Sequence, residues 1–444
     1  MVEIPPVLSR EQVLKELIFD SEGRWAAPAL NCRPEAGLPK QDVIIKDDTF
    51  RESTNMPGAS PTNDRKLALA RMLELAGVRE IVGGHAGLKE QCDFMRMVKD
   101  EGLNLIVHAY VDFGDWKRGI EAAVAANADA IWMPGALNPS PIFAGKLGSQ
   151  YGYWSADFDL SAVLDTMKAA IDFAKDRDKL ITVARAPIIP GVFEKALDAY
   201  VRGGADRICI FDDRGHYTPQ TMSHVVKMHR EAVGQSVKLE VHCHDDFGLS
   251  LANSLEGVRA GADVVDCVLN GYSHRSGNCA LEQVVPALEV LYGVKTGIDL
   301  SQLTSLCRLA ADVFGVPIPA QRPHIGEAAY AYSGVHISAL LQEGWFVWET
   351  IKAETIGQKR HVVWSPTSLD RHGMAGPVAL KIRRMGLPFN EEQLQQVFTA
   401  ARAVMTDKNF ATDEELEVVI RKVLGTSRST QAFSRKNESG DMPG

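Results

Sequence analysis

No CxxC pair occurs in this sequence, and its seven cysteines (Cys32, Cys92, Cys209, Cys243, Cys267, Cys279 and Cys307) are scattered singly. An odd, unpaired set argues against a disulfide framework and fits a reducing compartment. Positive charge is also short. Lys and Arg number 48 against 57 Asp and Glu, a net charge of −9. Nucleic-acid binding and a polybasic membrane anchor both need clustered positive charge, so neither is expected. A local basic pocket on an acidic protein can still take an anionic substrate. No uninterrupted apolar run is long enough to span a bilayer, and residues 1–36 carry charges throughout without an apolar signal segment. The expected setting is cytoplasmic, with no membrane or nucleic-acid partner.

What is present is ordinary globular composition: 45% hydrophobic and 24% charged residues over 444 positions. Residues 1–41 are rich in proline and read as an N-terminal arm. From 42 onward, short β-rich runs alternate with amphipathic stretches of helical period. The strand candidates are 43–46, 80–83, 105–110, 130–133, 180–184, 207–211, 238–242 and 264–268. The helix candidates that follow them are 63–76, 88–101, 116–126, 160–175, 192–203, 219–232, 247–260 and 278–292. Several helices end in Gly-Ala-Asp or Asn-Ala-Asp just before the next strand, which predicts a repeated turn. Eight strand–helix units over about 250 residues are the size of a closed (β/α)₈ TIM barrel, assigned here to 42–293. An open doubly wound sheet would show a Gly-rich phosphate loop after an early strand, and none is found. After 293 the alternation stops. Residues 294–426 predict a mainly helical C-terminal subdomain, with helices at 301–314, 326–341, 378–385, 391–403 and 413–422. The polar tail 427–444 predicts disorder.

Barrel enzymes carry their chemistry at the C-terminal ends of the strands. The seventh strand ends in His242-Cys243-His244-Asp245-Asp246. Histidines two apart on a strand share a face, so this end predicts a metal site over a structural histidine pair. The first strand ends in Asp47-Asp48-Thr49-Phe50-Arg51-Glu52. There Glu52 offers a carboxylate ligand, and Arg51 a permanent cation for a substrate oxyanion. After the eighth strand, Asn270 to Asn278 is a polar loop with two glycines, and Asn278 can add an amide oxygen. Such a donor set suits a divalent metal, Mn²⁺, Mg²⁺, Zn²⁺ or Co²⁺, that would chelate a 2-oxo acid and polarise its carbonyl.

Together these segments resemble the metal-dependent barrel family of isopropylmalate, homocitrate and citramalate synthases and hydroxymethylglutaryl-CoA lyases. The motif D-T-T-L-R-D/E-G-E-Q-x-P-G corresponds to Asp47 through Gly58, H-x-H-N-D-x-G-x-A-x-A-N to His242 through Asn253, and N-G-x-G-E-R-A-G-N to Asn270 through Asn278. Ser333-Gly334-Val335-His336 is similar to the S-G-I-H of the synthase branch. The resemblance implies Glu52, His242 and His244 as metal ligands with Asn278 nearby. It implies Arg51 as the enolate-stabilising cation and His336 as a proton-transfer residue, supplied across a homodimer. The implied reaction is a Claisen condensation of acetyl-CoA, or another acyl-CoA, with a 2-oxo acid, followed by thioester hydrolysis.

The sequence also departs from the family pattern. Arg185 falls near the place of a strand-five glutamate, Asp213 replaces a metal-proximal threonine, and His274 replaces the glutamate of G-E-R. His85 aligns with a histidine that homocitrate synthases use for the distal carboxylate of 2-oxoglutarate. His85, Arg185, Asp213 and His274 are therefore candidate substrate-binding residues. The positive charge of Arg185 and Arg214 suits a dianionic oxo acid, and an Arg185–Asp213 structural pair is the competing reading. Three functions stay open: an acyl-CoA:2-oxo acid C-acyltransferase, a metal-dependent carbon–carbon lyase or aldolase, and a non-catalytic relative.

Overall fold

The structure, a computed structural model, describes residues 15–32, 42–133, 159–333, 336–337, 349–370, 372–406 and 408–425. The tail expected at 427–444 and most of the arm lie outside these residues. Eight parallel strands close into a barrel. They are β1 (Ile44–Asp47), β2 (Glu80–His85), β3 (Ile106–Tyr110), β4 (Ala130–Met133), β5 (Leu180–Ala184), β6 (Arg207–Asp212), β7 (Lys238–Cys243) and β8 (Val264–Cys267). β8 closes the ring on β1 with Asp266 beside Lys46.

Side-chain alternation sorts each strand into two faces. Ile45, Ile81, Val107, Ile131, Ile181, Val183, Ile208 and Val241 join the apolar layer between strands and helices. That layer is built with α1 (Asn63–Leu75), α2 (Lys89–Asp100), α3 (Trp116–Ala125), α4 (Leu160–Lys175), α5 (Val192–Gly203), α6 (Pro219–Val233), α7 (Ser250–Arg259) and α8 (Leu281–Pro286). The opposite faces fill the barrel, where Val82, Tyr110, Trp132 and Cys209 form a separate apolar cluster. The repeated Ala-Asp turn has a physical reason. Asp129, Asp206 and Asp263 each accept the N–H that opens the preceding strand, from Val107, Ile181 and Leu239 at 2.7–2.8 Å. Each also pairs with a cation of the preceding helix: Lys99, Lys175 and Arg230.

The expected strands and helices match the observed ones to within a few residues, with two instructive exceptions in the barrel. α7 begins at Ser250 instead of 247, because Asp245 first closes a turn that accepts the N–H groups of Gly248 and Ser250. α8 begins at Leu281 instead of 278, because Asn278 and Ala280 bridge to His244 and Val268 as extended backbone.

The described residues divide into two compact units, 1–329 with 350–358, and 330–349 with 359–444. The first contains the barrel and the helix Leu303–Phe314. The second packs helices Pro377–Arg384, Glu391–Val404 and Asp413–Val423 on a three-stranded sheet of Ala331–Tyr332, His361–Trp364 and Ala411–Thr412. Its core is centred on Trp364, Ile382, Phe398 and Ile420. The helix expected at 326–341 is not formed at its start. Gly326 turns the chain by donating to Arg322 O, and Ala331–Tyr332 pairs as a strand with β-structure at His361 and Val362. No helix among the described residues is long and apolar enough to cross a membrane. Cys92, Cys209, Cys243, Cys267, Cys279 and Cys307 are free and buried.

His229 on α6 closes the end of β5. Its Nε2 accepts from Ala186 N–H at 3.1 Å and its Nδ1 donates to Val225 O at 2.8 Å. Burial pushes its pKa down to about 4. The unfolded chain therefore takes up a proton near pH 6.5 that the folded chain refuses until about pH 4. Stability linked to this group falls as pH drops through that window, by about 3 kcal/mol in all. His229→Gln removes this contribution. Urea midpoints at pH 7 and pH 5 are expected to differ less in the variant than in the parent; equal differences would contradict the assignment.

Candidate active site

The site is assembled on a charged barrel interior. At the N-terminal strand ends, Arg207 makes a fork to both oxygens of Glu80 at 2.5 and 2.6 Å, and His108 Nε2 lies 2.9 Å from Glu80. Above this, Lys46 Nζ sits between Glu240 (2.5 Å) and Asp266 (2.8 Å), over the Trp132 ring at 4.2 Å. Burial alone would lower the Lys46 pKa, but Asp266 and Glu240 outweigh it and hold it above the ordinary lysine value. Asp266 Oδ1 in turn faces His242 Nδ1 at 3.2 Å. A carboxylate at Nδ1 favours the tautomer with its proton there and leaves the Nε2 lone pair facing Glu52 and His244.

At the top, Asp47 fixes the start of a single helical turn, Thr49–Glu52, by accepting from Thr49 N–H (3.1 Å) and Oγ1 (2.7 Å). Burial lifts the Asp47 pKa to about 7 in spite of those bonds. The turn brings Arg51 and Glu52 to the mouth. Glu52 Oε1 lies 3.9 Å from His242 Nε2, and His242 Nε2 lies 3.3 Å from His244 Nε2. All three side chains are buried, and their ligand atoms lie within 4.8 Å of one another. Asn278 Nδ2 is 3.1 Å from His242 Nε2, while its Oδ1 is buried without a partner. Turning that amide over presents the oxygen to the same point. Burial, then His242 and His274, depress the His244 pKa, so its imidazole stays neutral. His274 adds a third ring, 4.8 Å from His244, with a pKa lowered to about 4 by burial, Arg275 and Arg51.

The third-motif loop is fixed by backbone crowding. Gly277 has φ +92°, and a Cβ there would meet Gly271 O at 2.0 Å. The loop also carries Ser273, whose hydroxyl donates to Glu52 Oε2. Gly215, with φ +57°, lets the β6 loop pass under His244, where a Cβ would lie 2.7 Å from His244 O.

Arg51 is held by contacts rather than by a single pair. Its Nη1 meets Glu52 and lies 3.4 Å from Asp48 Oδ2, and its guanidinium covers Tyr110 (4.6 Å) and Trp132 (5.0 Å). Asp48 is fully buried, and burial with nearby Asp266 raises its pKa well above the carboxylate range. The donor set fits a divalent ion on charge as well as geometry. Even with Asp47 and Asp48 protonated, the buried carboxylates Glu52, Glu80, Glu240 and Asp266 outnumber Lys46, Arg51 and Arg207. A bound cation would offset that excess.

Of the residues singled out in the sequence, Arg51, Glu52, His242, His244, His274 and Asn278 come together. His85 stands at the rim, its ring 4.5 Å from Tyr110 and its Nε2 3.3 Å from Asp112. Arg185 does not join them; it lies in the layer behind β5, beside Tyr217. Asp213 lies on the β6 loop, where its carbonyl accepts from Arg275 at 2.6 Å. His336 lies in the second unit and is exposed there. Lys46, Trp132, Asp266 and Ser273 were not singled out. Strand parity held the signal for the first three, since each stands beside an outward-facing apolar residue of its strand (Ile45, Ile131 and Val265) and so faces inward.

Asp266→Asn is expected to weaken metal binding about 10–100-fold, the usual effect of losing an outer carboxylate partner. Chelator competition on the purified protein checks this, and an unchanged affinity would remove Asp266 from the account.

Comparison with known proteins agrees with this architecture. The family model described as HMGL-like matches residues 42–310. A homocitrate synthase of Methanocaldococcus jannaschii is 30% identical over 91% of this chain and 96% of its own length. An (R)-citramalate synthase of the same organism is 28% identical over 86% of this chain and 75% of its own. In fold, the chain is similar to the HMG-CoA lyase of Bacillus subtilis, with TM-score 0.54 and 20% identity over 64% of this chain and 97% of that one. With most of the barrel matched by the family model and nearly the whole chain by a synthase, the protein belongs to the HMGL-like family, metal-dependent enzymes that form or cleave carbon–carbon bonds.

Proposed function

We propose that this enzyme condenses an acyl-CoA, acetyl-CoA in the simplest case, with a 2-oxo acid. The observation that carries this reading is extent. The similarity to a homocitrate synthase runs through 91% of the chain, far beyond the barrel that the lyase fold covers.

Glu52, His242, His244 and Asn278 would hold the divalent ion, Mn²⁺, Mg²⁺, Zn²⁺ or Co²⁺. When bound, that ion supplies Lewis-acid polarisation of a chelated oxo acid. Arg51 faces the same space with a charge that cannot be lost, and it stabilises the oxyanion that develops as the bond forms. Tyr110 and Trp132 keep its guanidinium in place. His336 takes a proton from the acyl methyl group, whose carbon bonds to the keto carbon, and the resulting alkoxide is protonated. Water then cleaves the thioester, releasing CoA thiol and a second carboxylate. In this reading the second unit approaches the site of a partner subunit, which makes the enzyme a homodimer. His85 at the rim and His274 beside Glu52 supply donors for a second anionic group on the oxo acid, so a dianionic substrate is preferred. Arg185 takes no part in substrate binding.

A thiol-release assay with acetyl-CoA, Mn²⁺ or Mg²⁺ tests this against oxaloacetate, 2-oxoglutarate, phosphonopyruvate and 2-oxoisovalerate. Release that depends on one dianionic oxo acid is the expected result. No release with any of them, from protein that holds its metal, would overturn the acetyl-transfer reading.

A further inference from the structure

Seven non-glycine residues have positive φ among the described residues, and six of them are Asn, Asp or His. Those are the types that enter the left-handed region most readily. Arg275, with φ +56°, is the exception. It occupies the first central position of the turn His274–Gly277, which Gly277 N–H closes on His274 O at 3.1 Å. A turn that needs positive φ there normally takes Gly, Asn or Asp. Backbone strain of this kind persists only where the surroundings hold it.

The side chain shows what holds it. Arg275 leaves its own loop, the one that carries His274 and Asn278, and reaches two others. Its Nε and Nη2 make a fork to Asp246, 2.8 Å to Oδ1 and 2.9 Å to Oδ2. Nη2 also donates to Asp213 O at 2.6 Å. Asp246 stands two residues after His244 on the loop that follows β7, and Asp213 stands on the loop that follows β6. One planar guanidinium therefore ties together three loops at the mouth of the barrel. The backbone holds the β7 and β8 loops together at one edge only, where Asp245 N–H donates to Gly277 O at 2.9 Å and Cys279 N–H to Cys243 O at 3.0 Å. The turn that bears His274 projects beyond that edge, and the fork is its tie to the β7 loop.

Stability does not account for an arginine here. Its side chain is 39% exposed and that of Asp246 is 23% exposed. An ion pair in such a setting adds little, and the strained backbone works against folding. Geometry does account for it. A fork of two parallel bonds fixes direction as well as distance, which a lysine or a single hydrogen bond cannot do.

We propose that Arg275 is a positioning residue of the metal site. Through Asp246 and the Asp213 carbonyl it sets the loop bearing His274 and Asn278 against the loop bearing His244. The proposal rests on the ligand set given above, Glu52, His242, His244 and Asn278, and not on acyl transfer.

The test is the Mn²⁺ affinity of the full-length protein, measured by chelator competition, beside the Tm of the metal-free form. Arg275→Asn keeps a residue that accepts positive φ and removes the fork. Asp246→Asn breaks the fork from the other side. Each is expected to bind Mn²⁺ about 10–100-fold more weakly, the range for a lost outer partner. The metal-free Tm is expected to stay within about 2 °C of the parent, as for other surface substitutions. The double variant is expected to bind no more weakly than the weaker single one, because both changes remove one interaction. Parental affinity in either single variant would overturn the proposal, and so would losses that multiply in the double variant. A metal-free Tm well below the parent in both single variants would make the pair a structural one and overturn it too. If Arg275→Asn does not fold, Asp246→Asn decides alone. His242→Ala, measured alongside, separates this proposal from the ligand set. Where it has lost its metal, parental affinity in the fork variants rejects the positioning role alone. Where it keeps its metal, the ligand set is wrong and the positioning role falls with it.

Discussion

His242→Ala is expected to lose its metal and its turnover together. The imidazole is the hinge between two parts of the site. Its Nδ1 faces Asp266, which Lys46 holds from below, and its Nε2 faces His244 and Glu52. In the proposed ligand set alanine removes a direct ligand, so affinity should fall by more than the ~10–100-fold typical of outer partners. The ring also stacks on Phe211 at 4.2 Å, nearly parallel, so some loss of stability is expected as well. Elemental analysis of the folded variant, with circular dichroism to establish folding, separates the effects. A folded variant that keeps a stoichiometric metal would show that the ligand set is wrong.

Arg51→Lys is expected to lower kcat by about 10²–10³-fold, the loss seen when one oxyanion-stabilising donor is removed. The substitution keeps the charge, so it tests geometry. A guanidinium can lie across Tyr110 and Trp132 while also meeting Glu52 and Asp48. A lysine ammonium is a point donor and cannot span them all. The metal should remain bound, and KM for the oxo acid should change less than kcat. A raised KM with unchanged kcat would mean that Arg51 contributes only to ground-state binding.

Both variants alter residues that the sequence marks, and the reason lies in strand geometry. Histidines two apart at the end of β7 must share a face, and Arg51 with Glu52 must follow β1 into the mouth, so these residues are readable once the barrel is recognised. Helix and strand periods made the barrel itself readable. Arg185 shows where such reading fails. Its place in sequence is right for a rim residue, but a shift of one position along a strand reverses the face. Ala184, not Arg185, looks into the barrel. The interior polar network was hidden for a different reason. Lys46, Glu80, Arg207, Glu240 and Asp266 meet across strands that are far apart in sequence, and each alone looks like an ordinary charge. The start of the helix expected at 326–341 is not formed, because a helical period in composition does not reveal a chain reversal at Gly326 or a strand partner thirty residues on, at His361.

The measurement that bears most directly on the account is the fate of the acyl carbons. The enzyme is incubated with acetyl-CoA labelled in both acetyl carbons, the oxo acid that elicits thiol release, and metal, and the products are weighed by mass spectrometry. The account predicts one product carrying both labelled carbons joined to the intact oxo-acid skeleton, formed with metal and absent after chelation. Recovery of the label as acetate alone, or a product formed equally without metal, would contradict it.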